Sequence, residues 1–211
     1  MLVRQPTEHE RYMADPLKTA ITLQSGVEVP FYIWDTLSHW SPMLIVAPGT
    51  SPEDWHEFAA YLAPPSSPVL PEVSSALEIL MFIWDIGTPV NLVAQGQQAS
   101  GWVSELVAMA PAAAASITIC NGELTVDQIS GMHEISTLIL RGRQSSSLSH
   151  ESVVRMHDLL RHSILTEPEE CADFPAKDNP NAAASALNWF LAGSGSNDDE
   201  FSAAEPIDPK S

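Results

Sequence analysis

Residues 91–111 read NLVAQGQQASGWVSELVAMAP, and this stretch decides the fold. Val90–Ala94 has the pattern of a strand buried on both faces. A helix follows from about Ala99 to Ala110 and is stopped by Pro111. Gly96-Gln97-Gln98 leaves room between them for one tight turn, and the spacing predicts Gln98 in it. Buried strand, sharp turn and helix in this order are the unit of a parallel sheet covered by helices.

The same alternation runs outward in both directions. Toward the amino end, Met43–Ala47 (MLIVA) is a continuous apolar run, again a doubly buried strand. Pro52-Glu53-Asp54 then opens a helix, with Pro in its first turn and acids at its positive end. Trp55, Phe58, Ala59 and Leu62 fall on one face of that helix. A further helix is predicted over about 72–86, ending at Gly87. Lys18–Leu23 and Val29–Trp34 form a hairpin around Ser25-Gly26. Toward the carboxyl end, Ser116–Cys120 and Thr137–Leu140 are strands. Glu151–Arg161 is an amphipathic helix, with Ser149 a better cap than His150 because its oxygen accepts from free amides. Ser163–Leu165 is a short strand and Asn181–Leu191 a closing helix. Residues 1–17 form an arm, 18–192 one α/β domain, and 193–211 an acidic, Gly/Ser/Pro-rich tail expected to be disordered.

Composition narrows the function classes. The 211 residues carry 27 acids against 9 bases, a net charge of -18. Such a chain is repelled by phosphate backbones and anionic lipids, so neither nucleic acid nor membrane is expected as a partner. The acidity is read first as solubility, with a basic protein partner as the sharper alternative; a small-molecule ligand or a protein partner remains open. No apolar run reaches membrane-spanning length, and the start lacks the apolar core of a secretory signal. Cys120 and Cys171 lie far apart, which fits a reducing, cytoplasmic location better than a disulfide or zinc scaffold. His9, His39, His56, His133, His150, His157 and His162 form no spaced metal motif, and neither metal nor cofactor is expected. Ser145-Ser146-Ser147 with His150 offers a possible local nucleophile and base, though a Ser-rich loop before a helix is the commoner explanation.

Several segments, in order, resemble the α/β-hydrolase superfamily. LIVAPGTSPEDWHEFAAYLA (44–63) resembles its strand, oxyanion loop and first helix. NLVAQGQQASGWVSELVAMAP resembles its nucleophile strand, elbow and helix, and SITICNG (116–122) the next strand. STLILRGRQ (136–144) resembles the strand and loop that carry the catalytic acid. CADFPAKDNPNAAASALNWFL (171–191) resembles the histidine-bearing loop and final helix. The resemblance implies a mostly parallel sheet flanked by helices; a generic doubly wound domain is the competing fold. With only residues 123–136 between Gly122 and Thr137, no lid domain is expected.

The chemistry of that superfamily needs a nucleophile on a strained elbow, a histidine base and an acid to orient it. On this resemblance the three positions fall on Gln98, Ser145 and Asp173 (or Ala172). An amide is not a useful nucleophile, a serine cannot hold an imidazolium, and no histidine follows His162. Ser100 is read as a first-turn helix residue rather than a shifted nucleophile. Gly49, Thr50 and Ala99 are the oxyanion-loop candidates, since backbone amides near Thr50 and Ala99 could point into one pocket. Between the first two helices, PPSSPVLP (64–71) is expected to break the sheet, because prolines remove ladder donors. A reduced sheet follows, with Phe31–Trp34 pairing directly to Met43–Ala47. The sequence thus points to a non-catalytic member of the fold with a binding or regulatory role; the alternative is a divergent hydrolase of small esters or amides.

Overall fold

The computed structural model describes residues 15–34, 41–87 and 89–194; most of the expected arm and tail, residues 1–14 and 195–211, lies outside the described residues. β1 (Leu17–Thr22) and β2 (Glu28–Ile33) form the expected antiparallel hairpin, turned at Gly26 with φ +83. β3 (Ser41–Val46), β5 (Val90–Gln95), β6 (Ala114–Cys120), β7 (Thr137–Leu140) and β8 (Ser163–Thr166) run parallel to their neighbours.

The break expected at 64–71 is absent. Ser66–Pro71 is a six-residue strand, β4, buried at every position. It lies between β2 and β3, giving the eight-stranded order β1-β2-β4-β3-β5-β6-β7-β8. The prolines are tolerated by position. Pro64 and Pro65 precede the strand and Pro71 ends it, so Pro68 alone is internal. The β2–β4 register covers Phe31–Pro71, Tyr32–Leu70 and Ile33–Val69 and stops there. At Pro68 the missing donor does not prevent acceptance, and its carbonyl takes a hydrogen bond from the Trp34 amide at 3.4 Å. β3 therefore pairs with β4 and β5, and β2 does not reach it.

Helices cover both faces. The chain after β3 makes a 3-10 turn (Pro52–Trp55) and then α1 (His56–Tyr61). α2 (Ala76–Ile86) starts later than expected, at a Ser75 cap whose side chain accepts from the Glu78 amide, and ends at Gly87 with φ +79. α3 is Gly96–Met109. α4 (Val126–Ser130), not anticipated, is set by a Thr125–Gln128 capping box. α5 (His150–Leu159) is capped by Ser149 as expected. α6 (Pro175–Asp178) and α7 (Pro180–Ser194) close the chain.

Strand residues alternate between two cores. Leu44, Val46, Leu92 and Ala94 face the α2–α3 side. Met43, Ile45 and Val93 face the α1–α7 side, with Trp55, Phe58 and Leu187. Two buried faces explain why these strands read as continuous apolar runs. The parallel strands aim their carboxyl ends at one edge, where such folds place their sites.

Candidate functional site

The elbow is at Gly96. β5 runs one residue further than expected, to Gln95, and α3 begins at once with Gly96. Gly96 is the junction residue with positive φ, +80, a left-handed turn conformation that glycine adopts without strain. Gln98 is instead the third residue of α3 and points to solvent. The expected turn at Gln98 is corrected by two residues: the helix begins at Gly96 rather than near Ala99, so the chain has turned before reaching Gln98. The elbow residue therefore has no side chain, and nothing lies within 4 Å of where a Cβ on Gly96 would sit.

Neighbouring side chains fix this turn. Gln97 clamps Glu123 twice, donating Nε2 to its carbonyl at 2.7 Å and accepting its amide on Oε1 at 2.9 Å. Ser100, fully buried in the first turns of α3, donates to the Gly96 carbonyl at 2.8 Å. Gln95 donates Nε2 to the Asp173 carbonyl at 3.0 Å, while its Oε1 is buried without a partner.

Ser145 and Asp173, assigned from separate loops, are in direct contact: Ser145 Oγ donates to Asp173 Oδ1 at 2.6 Å. Ser147 Oγ donates to the same oxygen at 2.7 Å, and Ser146 Oγ to Oδ2 at 3.0 Å. The amides of Ser146 and Ser147 add two bonds at 3.1 Å. Asn121 Nδ2 donates to Oδ1 at 3.0 Å. The Ser145 hydroxyl, then the Ser147 hydroxyl and amide, hold the Asp173 carboxyl far below the usual carboxylate range. Asp173 is thus an ionised acceptor with little tendency to take a proton at neutral pH.

The loops meet because Gly142 has no side chain. A Cβ there would lie 1.8 Å from the Ala172 carbonyl oxygen. Asn121 bridges the same junction, accepting the Gly142 amide on Oδ1 at 3.2 Å from a left-handed backbone, φ +51. Buried Arg141 ties down the serine loop, donating Nε to the Leu148 carbonyl at 2.7 Å and Nη2 to the Ser145 carbonyl at 3.3 Å. Its Nη1 pairs with Glu167 at 2.6 Å, and His150 pairs with the other Glu167 oxygen at 2.8 Å. Burial pushes the Glu167 carboxyl up, but the hydrogen bonds from His150 and Arg141 outweigh it and hold it below its ordinary value. His150 is therefore engaged with Glu167, while the serines serve Asp173.

The oxyanion candidates separate. The Thr50 amide is used in a turn to the Ala47 carbonyl at 3.2 Å, and its hydroxyl donates to that carbonyl and accepts from Trp55 Nε1. With Gln95 as the helix cap, the Ala99 amide makes the first intrahelical bond. The amides without a helical acceptor in α3 are those of Gly96, Gln97 and Gln98. Gly49 (φ +80) and Thr50 line a cleft of about 480 Å³ with Tyr32, Ser51, Glu72 and Ser74, at the carboxyl ends of β3 and β4. Gly96, Ser145 and Asp173 do not line it.

Asn121 and Gln95 were not singled out by sequence, Ser146 and Ser147 were read only as part of a serine loop with His150, and Gly96 only as the first residue of the turn. The usable signals were Asn-Gly directly after a buried strand and the glycine directly after the longest reading of β5. Among the described residues no cluster of His, Cys, Asp and Glu could hold a metal ion. Cys120 and Cys171 are free and buried, and burial pushes their thiols up to about 12 and about 11.

No protein-family model matches the sequence, and no curated protein matches it. Solved structures do match. A protein described as a predicted CIB-like hydrolase from Thermoplasma acidophilum is 14% identical, with TM-score 0.73 over 84% of this chain and 98% of that one. A membrane phospholipase A, described as a bacterial virulence factor, is 13% identical, with TM-score 0.72 over 88% of both chains. An α/β hydrolase from Novosphingobium aromaticivorans is 12% identical, with TM-score 0.67 over 85% of this chain and 99% of that one. The chain has the α/β-hydrolase fold.

Proposed function

We propose that this α/β-hydrolase-fold protein is non-catalytic and acts by binding. The observation that carries the reading is the elbow itself: the residue held in the left-handed turn is Gly96, which has no nucleophilic atom. The base position supports it, because Asp173 is an anion satisfied by three serines and Asn121 and cannot take a hydroxyl proton near neutral pH. The cleft bounded by Gly49, Thr50, Glu72 and Ser74 offers room for a small-molecule ligand. Two free, buried cysteines fit a reducing, cytoplasmic setting.

The alternative, a divergent hydrolase of small esters or amides, draws on the activity named for the structural neighbours. It needs a nucleophile elsewhere. Ser145, Ser146 and Ser147 donate their hydroxyl protons to a carboxylate too weak as a base to activate them.

Rebuilding the triad tests the reading. Gly96→Ser alone is expected to leave ester hydrolysis at background. Gly96→Ser with Ser145→Asp and Asp173→His places nucleophile, acid and base on the matching turns, and is expected to raise hydrolysis at least about tenfold. High activity in wild type, or in the single variant, contradicts the proposal. A folded but inert triple variant contradicts the assignment of the three positions.

A further inference from the structure

The α2–α3 face carries a feature that the elbow does not explain. α2 reads ALEILMFIWDI, and its buried side is supplied by Ala76, Ile79, Leu80, Phe82 and Ile83. Its outer side is apolar as well. Leu77 is 55% exposed and Trp84 is 59% exposed, with half-buried Met81 between them. Their spacing of four and three residues puts all three on one line along the helix. The neighbouring α3 ends in Met109, 51% exposed. A helix apolar on both sides is ordinarily covered on both, and exposed stripes of this kind mark contact sites.

The charge beside the stripe selects what covers it. Glu78 and Asp85, seven residues apart, form a row about 90° around α2 from the stripe. α3 adds exposed Glu105. No lysine or arginine occurs anywhere from residue 19 to residue 140. The described cations lie at Lys18, Arg141, Arg143, Arg155, Arg161 and Lys177, and their ion pairs go to Glu72, Glu167, Glu169, Glu123 and Asp54. None of the ion pairs among the described residues uses Glu78, Asp85 or Glu105. Glu78 accepts from the amide and hydroxyl of Ser74, and Asp85 from the Gln24 amide, but among the described residues no lysine or arginine neutralises either carboxylate or that of Glu105.

We propose that the outer face of α2, with the end of α3, is a docking surface for a basic amphipathic helix of another protein. Its apolar side would cover Leu77, Met81 and Trp84, and its lysines or arginines would meet Glu78, Asp85 and Glu105. A second copy of this chain fits poorly, because it brings an acidic row and a net charge of -18 against the same. An anionic membrane surface is repelled for the same reason. The surface is independent of the elbow site, so either can fail without the other.

The test uses the full chain and a synthetic amphipathic helical peptide of leucine and lysine, followed by calorimetry and by amide chemical shifts. Shifts confined to α2 and the end of α3 are expected. Leu77→Ser with Trp84→Ser should weaken binding at least about tenfold, and rising salt should weaken it further. A peptide with glutamate in place of lysine should not bind. Equal binding by the double variant, or shifts spread over other acidic surfaces, overturns the proposal. So does concentration-dependent dimerisation of the free chain that Trp84→Ser abolishes, which would make a second copy the occupant. Trp84-dependent binding to lipid vesicles overturns it in favour of a membrane. Both substitutions replace exposed side chains, and an unchanged melting temperature confirms that the variant is folded.

Discussion

At the sheet's carboxyl edge, Asp173 accepts hydrogen bonds from three consecutive serines and Asn121. Gly96, whose neighbour Gln95 reaches the Asp173 carbonyl, holds a left-handed turn with no atom within 4 Å of where its Cβ would sit. Under the proposed non-catalytic reading, the two regions differ in what occupies the backbone frame of the fold. At the loops bearing Ser145 and Asp173, the polar side chains satisfy one another, so the junction is a fastened structural unit. At the elbow the turn residue is a glycine, and the turn is held by Gln95, Gln97 and Ser100 around it. In both regions neighbouring hydrogen bonds maintain the backbone geometry independently of any reactive side chain.

Two glycines break this comparison most sharply. Gly142→Ala drives a methyl group into the Ala172 carbonyl and separates the loops that bring Ser145 to Asp173. A loss of about 3 kcal/mol is expected, read as a large fall in melting temperature. Asp173→Ala comes next. It leaves the side chains of Asn121 and the three serines without their shared acceptor, and about 1–2 kcal/mol should be lost, limited by exposure to water. Amide exchange in 145–148 should quicken in that variant. Gly96→Ala meets no neighbouring atom, and its cost is the left-handed backbone alone, about 1 kcal/mol. If Gly96→Ala proves worse than Gly142→Ala by denaturant melts, the elbow is the tighter of the two regions and the comparison is reversed.

The smallest effect concerns pH. The folded Asp173 carboxyl titrates below its unfolded value of about 3.9. Its contribution is complete above that value and is lost as pH falls toward the folded one. The stability gap between wild type and Asp173→Asn should therefore be constant from neutral pH down to about 5 and narrow only in stronger acid. A gap that stays constant even in strong acid would mean that Asp173 titrates normally and that the serine clasp is loose.

Much of this was legible from residue patterns. The hairpin, the doubly buried strands, the Ser149 cap and the closing helix follow from periodicity and capping chemistry. The pairing of Ser145 with Asp173 was reachable only through the resemblance, since 28 residues separate them. β4 escaped because proline content counts donors lost and not where they fall; a single internal proline beside a short antiparallel register is tolerated. The elbow was misplaced because the polar Gln95 reads as the end of a strand, whereas its backbone still pairs with Cys120. Asn121 was missed because its role depends on a left-handed backbone and on loops distant in sequence.

The claim that the hydrolase geometry persists without its chemistry is tested most directly by a fluorophosphonate probe, applied to the folded chain beside an active serine hydrolase. The account predicts covalent labelling of the control and none of this protein. A stoichiometric adduct on any serine of the wild-type chain would contradict it.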